Sequence, residues 1–153
     1  MKVKIFICNM LHVNCYVVYD EQSREAAVID PGFYWDNEKQ LFAKFVEDNN
    51  LCVKYLLCTH LHFDHVFGTS FVADKYDVKL CASLSDAPWI DNFESSLSRF
   101  GISSNGKPCS IGQPLFDGDV KHHKISLRIR VVCSDFCCRQ LWLKITLKRT
   151  IST

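Results

Sequence analysis

The chain of 153 residues has no excess of charge of either sign. Its 18 Lys and Arg stand against 17 Asp and Glu, a formal net charge of +1, which removes any overall electrostatic case for binding nucleic acid. It also lacks a long hydrophobic run near its start. The stretch Ile5-Phe6-Ile7-Cys8 stops at Asn9, too short for a signal-peptide core or a membrane span. These absences lead us to expect a soluble, cytoplasmic chain with neither nucleic acid nor membrane as partner. Nor are its cysteines regularly spaced. The nine, at 8, 15, 52, 58, 81, 109, 133, 137 and 138, are scattered through apolar segments such as Leu56-Leu57-Cys58, as buried free thiols in a reducing compartment would be.

A further absence divides the chain. Residues 121–153 contain no glycine and no proline, although the preceding 120 hold all 6 and all 4, so the usual turn chemistry is missing there. Charge changes at the same place: 10 basic and 16 acidic side chains up to residue 120, then 8 basic and 1 acidic. We therefore expect one domain over residues 1–120 and an atypical basic tail over 121–153. Within the tail, Ile125, Leu127, Ile129 and Val131 alternate with polar residues and predict a strand over 125–132.

What is present is enough to pack a core, with 48% hydrophobic and 12% aromatic residues. Val3, Ile5 and Ile7 alternate with Lys2, Lys4 and Phe6, and residues 13–19 are β-branched and aromatic, so two strands open the chain. A third strand over 25–30 is stopped by Pro31-Gly32. Leu41, Phe42, Phe45 and Val46 recur at helical spacing, predicting a helix over 37–50 with Asp36 or Asn37 as cap and Glu38 in its first turn. Residues 53–59 form a nearly continuous apolar run, as in a strand covered on both faces. Beyond it we expect a helix over 66–76, a strand over 78–82 and a helix from about Ser85 with Pro88 in its first turn. Loops are expected at Asn105-Gly106-Lys107-Pro108 and at Gly112-Gln113-Pro114, and a turn within 116–120. Strand and helix alternate, so the fold class is α/β.

The chemistry is concentrated in Thr59-His60-Leu61-His62-Phe63-Asp64-His65, with three imidazoles and a carboxylate in six residues directly after a buried strand. His60 and His62 are two apart, so in extended backbone they point to one side and can converge on one metal ion. Asp64 and His65 sit where the chain turns into the next helix and aim at a neighbouring point. From the chain's own composition, the pattern His-x-His-x-Asp-His arises by chance on the order of one time in a thousand. Imidazole and carboxylate ligands suit zinc, with iron and manganese also compatible. A cation held by neutral imidazoles lowers the pKa of bound water toward about 7 and polarises a carbonyl oxygen; two ions roughly 3.5–4 Å apart share the hydroxide. That chemistry is hydrolysis.

At these residues the chain resembles the metallo-β-lactamase-fold hydrolases, and within them the glyoxalase II-like (hydroxyacylglutathione hydrolase-like) group. Asn14-Cys15-Tyr16-Val17-Val18 is similar to the family's second-strand signature, Ala27-Val28-Ile29-Asp30-Pro31-Gly32 to its Asp-Pro-Gly turn, and residues 59–68 to its metal loop. The resemblance implies an αββα sandwich with up to two Zn2+ at one edge of the paired sheets. It implies that His60 and His62 bind the first metal and Asp64 and His65 the second, with Asp64 the candidate catalytic residue, and that Asp30 supports the loop by orienting a ligating imidazole. The implied activity is metal-bound hydroxide attacking the carbonyl of a small-molecule thioester of the acyl-glutathione kind.

The sequence departs from the family after residue 120. Leu115-Phe116-Asp117-Gly118-Asp119-Val120 resembles the family's hairpin before a strand that ends in Thr-Pro-Gly-His, but here Val131-Val132 runs into Cys133-Ser134-Asp135-Phe136 and no histidine follows His123. The third-histidine, bridging-aspartate and distal-histidine ligands are therefore missing. His122-His123 precede the strand, and Cys133, Cys137 and Cys138 lack a second pair. We expect an incomplete sandwich, the first β-sheet and its helices, with an open apolar face that promotes self-association. A shifted reading frame from roughly 121–133 would account for the joint loss of Gly, Pro and acid, and another frame of the coding DNA would then contain a Thr-Pro-Gly-His-like segment. The rival to an enzyme is a non-catalytic metal-binding or interaction domain with a basic tail.

Overall fold

The computed structural model describes residues 1–122, 125–133 and 141–149. A six-stranded sheet is built from β1 (Lys2–Cys8), β2 (Val13–Tyr19), β3 (Glu25–Ile29), β4 (Cys52–Leu57), β5 (Leu80–Ala82) and β6 (Ile111–Pro114), in that spatial order. The first three strands form an antiparallel meander. Asp20 makes its second turn, its Oδ1 accepting the backbone N–H of Gln22 and Ser23 at 2.9 Å each. The sheet then continues in parallel from β3 to β6. Parallel neighbours need crossovers, and helices supply them: α1 (Asp36–Asp48), α2 (Phe63–Val66) with α3 (Thr69–Tyr76), and, after a 3-10 turn at Leu84–Asp86, α4 (Ala87–Asp91) and α5 (Phe93–Arg99).

The main core lies between this sheet and its helices. Val17, Val28 and Leu56 from the strands meet Phe33, Phe42 and Val46, all buried. Phe33 and Phe42 stack 4.9 Å apart, and Phe6 meets Phe33, Phe42 and Phe45 edge-on. Ala26, Ala27, Val28 and Ile29 are all buried, so β3 is covered on both faces, as its unbroken apolar run requires.

Several expectations are corrected. Gly112-Gln113-Pro114 is part of β6 rather than a loop. Its position at the edge of the sheet accommodates proline, and a Cβ on Gly112 would come within 2.9 Å of Lys79 Cβ. The helix expected over 66–76 is two helices meeting at Phe67 and Gly68. Neither Asp36 nor Asn37 caps α1. Trp35 holds the cap position, and the Glu38 carboxylate accepts the backbone N–H of Tyr34 at 2.8 Å, of Trp35 at 3.1 Å and of Asn9 at 2.6 Å. One side chain thereby satisfies the helix start and ties it to the β1–β2 loop.

The chain does not stop at one sheet. β7 (Val120–His122), β8 (Ile125–Cys133) and β9 (Leu141–Arg149) form a second, antiparallel sheet in sequence order, with nine residues of β8 in register with nine of β9. The strand expected over 125–132 is β8; β9 was not foreseen. On the face of the first sheet that turns away from the helices, Val18, Ala27, Ile29, Leu57, Cys81 and Leu115 form a second core cluster at 0–6% exposure. The expected open face is therefore covered at its centre. It stays open along β1, where Val3, Ile5 and Ile7 are 54%, 49% and 66% exposed. Among the described residues no helix is long and apolar enough to cross a membrane.

Candidate metal centre

The cluster is assembled where β3 and β4 end side by side. Asp30 follows β3 in a left-handed conformation (φ 52°) and its N–H donates to Leu57 O at 2.9 Å. That twist turns its buried carboxylate toward the next strand's exit. Oδ1 accepts the Thr59 N–H and Oδ2 the Thr59 hydroxyl, both at 2.7 Å. The Thr59 oxygen lies 3.0 Å from His60 Nδ1. Since the single hydroxyl proton is given to a carboxylate, which can only accept, Nδ1 of His60 must be the donor in this contact. The neutral ring's lone pair is then on Nε2, the nitrogen turned away from Thr59. The Asp30 support implied by the resemblance is present, and it reaches His60 through a hydroxyl.

The three imidazoles are brought together. The His60 ring centre lies 4.7 Å from that of His62 and 4.0 Å from that of His65. His60 is buried, and loss of hydration together with the neighbouring His65 pushes its pKa down to about 4, against a weaker opposing pull from Asp30. Burial also lowers His62, with Asp64 opposing and His65 adding to the shift. Both rings are therefore neutral at pH 7, the state a metal ligand needs. His65 moves the other way. Burial alone would lower it, but contact with Asp30 and the charges of Asp30 and Asp64 outweigh that and raise it. Its Nδ1 lies 3.3 Å from Asp30 Oδ2 and its Nε2 3.7 Å from Asp64 Oδ2. Nδ1 is buried without a well-aligned hydrogen bond, so the contact with Asp30 is chiefly electrostatic.

Two glycines let the backbone close around the cluster. A Cβ on Gly32 would collide with the Asp64 carbonyl oxygen and lie 2.8 Å from Asn9 Nδ2. Asn9, buried and itself left-handed at φ 51°, donates from Nδ2 to Gly32 O and Asp64 O at 2.9 Å each. Gly68 donates its N–H to Pro31 O at 2.7 Å, and a Cβ there would come within 2.7 Å of both Pro31 O and Phe33 Cδ2. The Asp-Pro-Gly turn and the histidine loop thus pack backbone to backbone at both ends.

Sequence reasoning missed Asn9 and Glu38 as supports, and also Trp89, whose ring stands 4.4 Å from that of His62 at 72°. No spacing rule marks Asn9 or Trp89, which act across a large separation in sequence; Glu38 meets Tyr34 and Trp35 locally, and only its bond to Asn9 is distant. His122 lies in β7 and Cys133 ends β8; His123, Asp135, Cys137 and Cys138 lie outside the described residues.

Among the described residues no set of three or more His, Cys, Asp or Glu side chains converges on one metal position. The chemistry of the donor set nevertheless fits a divalent cation: two neutral imidazoles with a carboxylate beside the third.

Comparison with known proteins bears on the family and the fold. Residues 9–127 match the family model described as the metallo-beta-lactamase superfamily. A hydroxyacylglutathione hydrolase of Pelagibacter ubique (strain HTCC1062) is 33% identical over 86 residues, covering 56% of this chain and 34% of its own. The hydroxyacylglutathione hydrolase GloC of Haemophilus influenzae is 27% identical over 103 residues, covering 67% of this chain and 46% of its own. The chain therefore spans about a third to a half of the length of these relatives. Among solved structures, the BLEG-1 B3 metallo-beta-lactamase superposes with a TM-score of 0.78 at 17% identity, over 95% of this chain and 67% of its own. TTHA1623 in a di-iron-bound form superposes with a TM-score of 0.71 at 23% identity, over 94% and 66%. These structural likenesses establish the fold.

Proposed function

Because the chain belongs to the metallo-beta-lactamase superfamily, we propose that it is a metal-dependent hydrolase acting on a small-molecule thioester of the acyl-glutathione kind, with His60, His62, Asp64 and His65 as ligands to Zn2+, or to iron or manganese. The observation that carries this reading is the trio of packed imidazoles, two held neutral by burial, on an Asp30–Thr59 support. The thioester class rests on the hydroxyacylglutathione hydrolases among its relatives.

When bound, the cation supplies a Lewis acid and a water acidic enough to be nucleophilic at neutral pH. The protein's own groups set the rest. Thr59 keeps the His60 proton on Nδ1 and presents Nε2 to the site. The Asp64 carboxylate in the first turn of α2, 3.7 Å from His65 Nε2, would help to hold the cation and would be the group to accept a proton from water. Trp89 shields one side of the His62 ring from solvent. Water is added across the acyl–sulfur bond, so a carboxylic acid forms and the sulfur leaves as a thiol. A reducing cytosol suits both that product and this protein, whose described cysteines 8, 15, 52, 58, 81 and 109 are free.

The test is metal analysis paired with hydrolysis of an acyl-glutathione thioester, for the wild-type chain and His62→Ala. Stoichiometric metal, with turnover that is lost on chelation and in the variant, is the expected result. Metal without turnover would leave a binding domain, and no metal in the wild-type chain would refute the reading.

A further inference from the structure

Asp86 is the last residue of the 3-10 turn between β5 and α4, far from the histidine motif in sequence, yet it touches the loop. One carboxylate oxygen accepts the backbone N–H of Leu61, the residue between His60 and His62. The other, Oδ2, is buried and has no partner among the described residues. The residue is 4% exposed. One turn further on, Trp89 meets the His62 ring edge-on. A single short segment therefore grips the loop at two consecutive residues, by its backbone at 61 and by a ring at 62.

We propose that Asp86 is a positioning residue for the histidine loop: by accepting the Leu61 N–H it fixes the peptide between His60 and His62, and with it the direction in which the two imidazoles project. The inference rests on the reading that these histidines hold a metal ion. A buried carboxylate with one oxygen unsatisfied is an expensive way to accept one amide, since a carbonyl or a water would serve at lower desolvation cost. What the carboxylate adds is a stronger, charge-assisted hydrogen bond and a negative charge one peptide from two ligands, which favours a cation. The support is rigid. Asp86 N–H donates to Ser83 O at 3.1 Å, the Ser83 hydroxyl accepts the Ser85 N–H at 3.3 Å, and Pro88 stiffens the start of α4. Leu61 is itself fully buried, so its peptide has no alternative course once the bond is made. Burial pushes the Asp86 carboxyl up to about 6, which leaves the group ionised at neutral pH.

The experiment compares the full chain with Asp86→Ala, which removes the acceptor, and Asp86→Asn, which keeps a carbonyl there. Two quantities are read: exchange of the Leu61 amide proton by NMR in metal-free protein, and affinity for cobalt(II) alone, measured by visible absorption against a competing chelator. In Asp86→Ala the Leu61 amide should exchange at least about tenfold faster, and cobalt affinity should fall about 10–100-fold. Asp86→Asn, which keeps an acceptor but loses the charge, should fall between wild type and Asp86→Ala in both. Unchanged Leu61 exchange or unchanged cobalt affinity in Asp86→Ala overturns the proposal. A coupling across the hydrogen bond between the Leu61 nitrogen and Asp86 Cγ tests the contact in the wild-type chain without any substitution, and its absence overturns the proposal even if Asp86→Ala does not fold. A wild-type chain that takes up no cobalt, while its Leu61 results come out as expected, removes the metal reading and leaves the positioning of the loop standing.

Discussion

Asp30 holds Thr59 at two points, one carboxylate oxygen on the backbone N–H and the other on the hydroxyl, each at 2.7 Å. This bidentate grip joins the end of β3 to the first residue of the histidine loop, and the hydroxyl passes the constraint on to His60 Nδ1 at 3.0 Å. Thr59→Val keeps the shape and deletes the oxygen. It should cost about 1–3 kcal/mol of stability, because a buried carboxylate oxygen loses its donor, and it should weaken metal binding about 10–100-fold by releasing the His60 tautomer. Thr59→Ser should recover most of both. Urea denaturation and chelator competition on the three proteins check this, and equal metal affinity in Thr59→Val would show that the hydroxyl does not orient His60.

Gly32 offers a test that touches no titratable group. A methyl group there must displace the Asp64 carbonyl, which is also bonded to Asn9 Nδ2. Backbone is the obstacle, so no rotamer change relieves it. Gly32→Ala should destabilise the chain by about 1–3 kcal/mol and lower its metal content, since Asp64 moves with its own carbonyl. Thermal melting and metal analysis read the two effects. A melting temperature equal to wild type would mean that the two backbones do not pack as closely as this structure has them.

The histidine motif was legible because four ligand-type residues in six positions leave a local signature, and β1 to β4 because their apolar runs and the Pro31-Gly32 stop are local too. What escaped was set by tertiary contact. Gly112 and Pro114 mark a loop by composition, yet the edge of a parallel sheet accepts both. Gly68 breaks a helical pattern because Pro31 and Phe33 press against it, and neither neighbour can be foreseen from a window around residue 68. Glu38 was placed in the first turn of α1 for its charge; its work there is to accept three backbone N–H groups, one of them from Asn9. Asp86 carried no motif at all.

Strand β1 predicts association. In register with Val18, Tyr16 and Asn14, the residues Val3, Ile5 and Ile7 extend the second core cluster to the edge of the sheet. They remain largely exposed, while Phe6 and Cys8 turn to the helix side. Among the described residues β1 pairs only with β2, so an apolar row and an unpaired ladder coincide. The chain should self-associate with rising concentration, and the double substitution Ile5→Thr and Ile7→Thr should weaken that association by about tenfold or more, from the apolar burial it removes. Sedimentation equilibrium decides. A wild-type chain that stays monomeric at high concentration refutes the prediction.

Asp86 predicts an unusual pH dependence of stability in the metal-free chain. Its folded carboxyl titrates at about 6, above the value of about 3.9 of an unfolded aspartate, so the folded state binds its proton more tightly. Below about pH 4 the side chain is protonated in both states and adds no penalty. As pH rises from about 4 to about 6 the unfolded chain ionises first, and stability falls by an amount on the order of 3 kcal/mol. His60 acts in the opposite sense. Its folded pKa is about 4, below the value of about 6.5 of an unfolded histidine, so its contribution is complete above pH 6.5 and is lost as pH falls toward 4. In the wild-type chain the two slopes offset each other. Asp86→Asn removes one of them: the variant should match wild type near pH 4, exceed it in stability at pH 7, and show the acid loss due to His60 unmasked. Urea denaturation of both proteins from pH 4 to 8 measures the difference, and parallel curves would mean that Asp86 does not carry a raised carboxyl in the folded state.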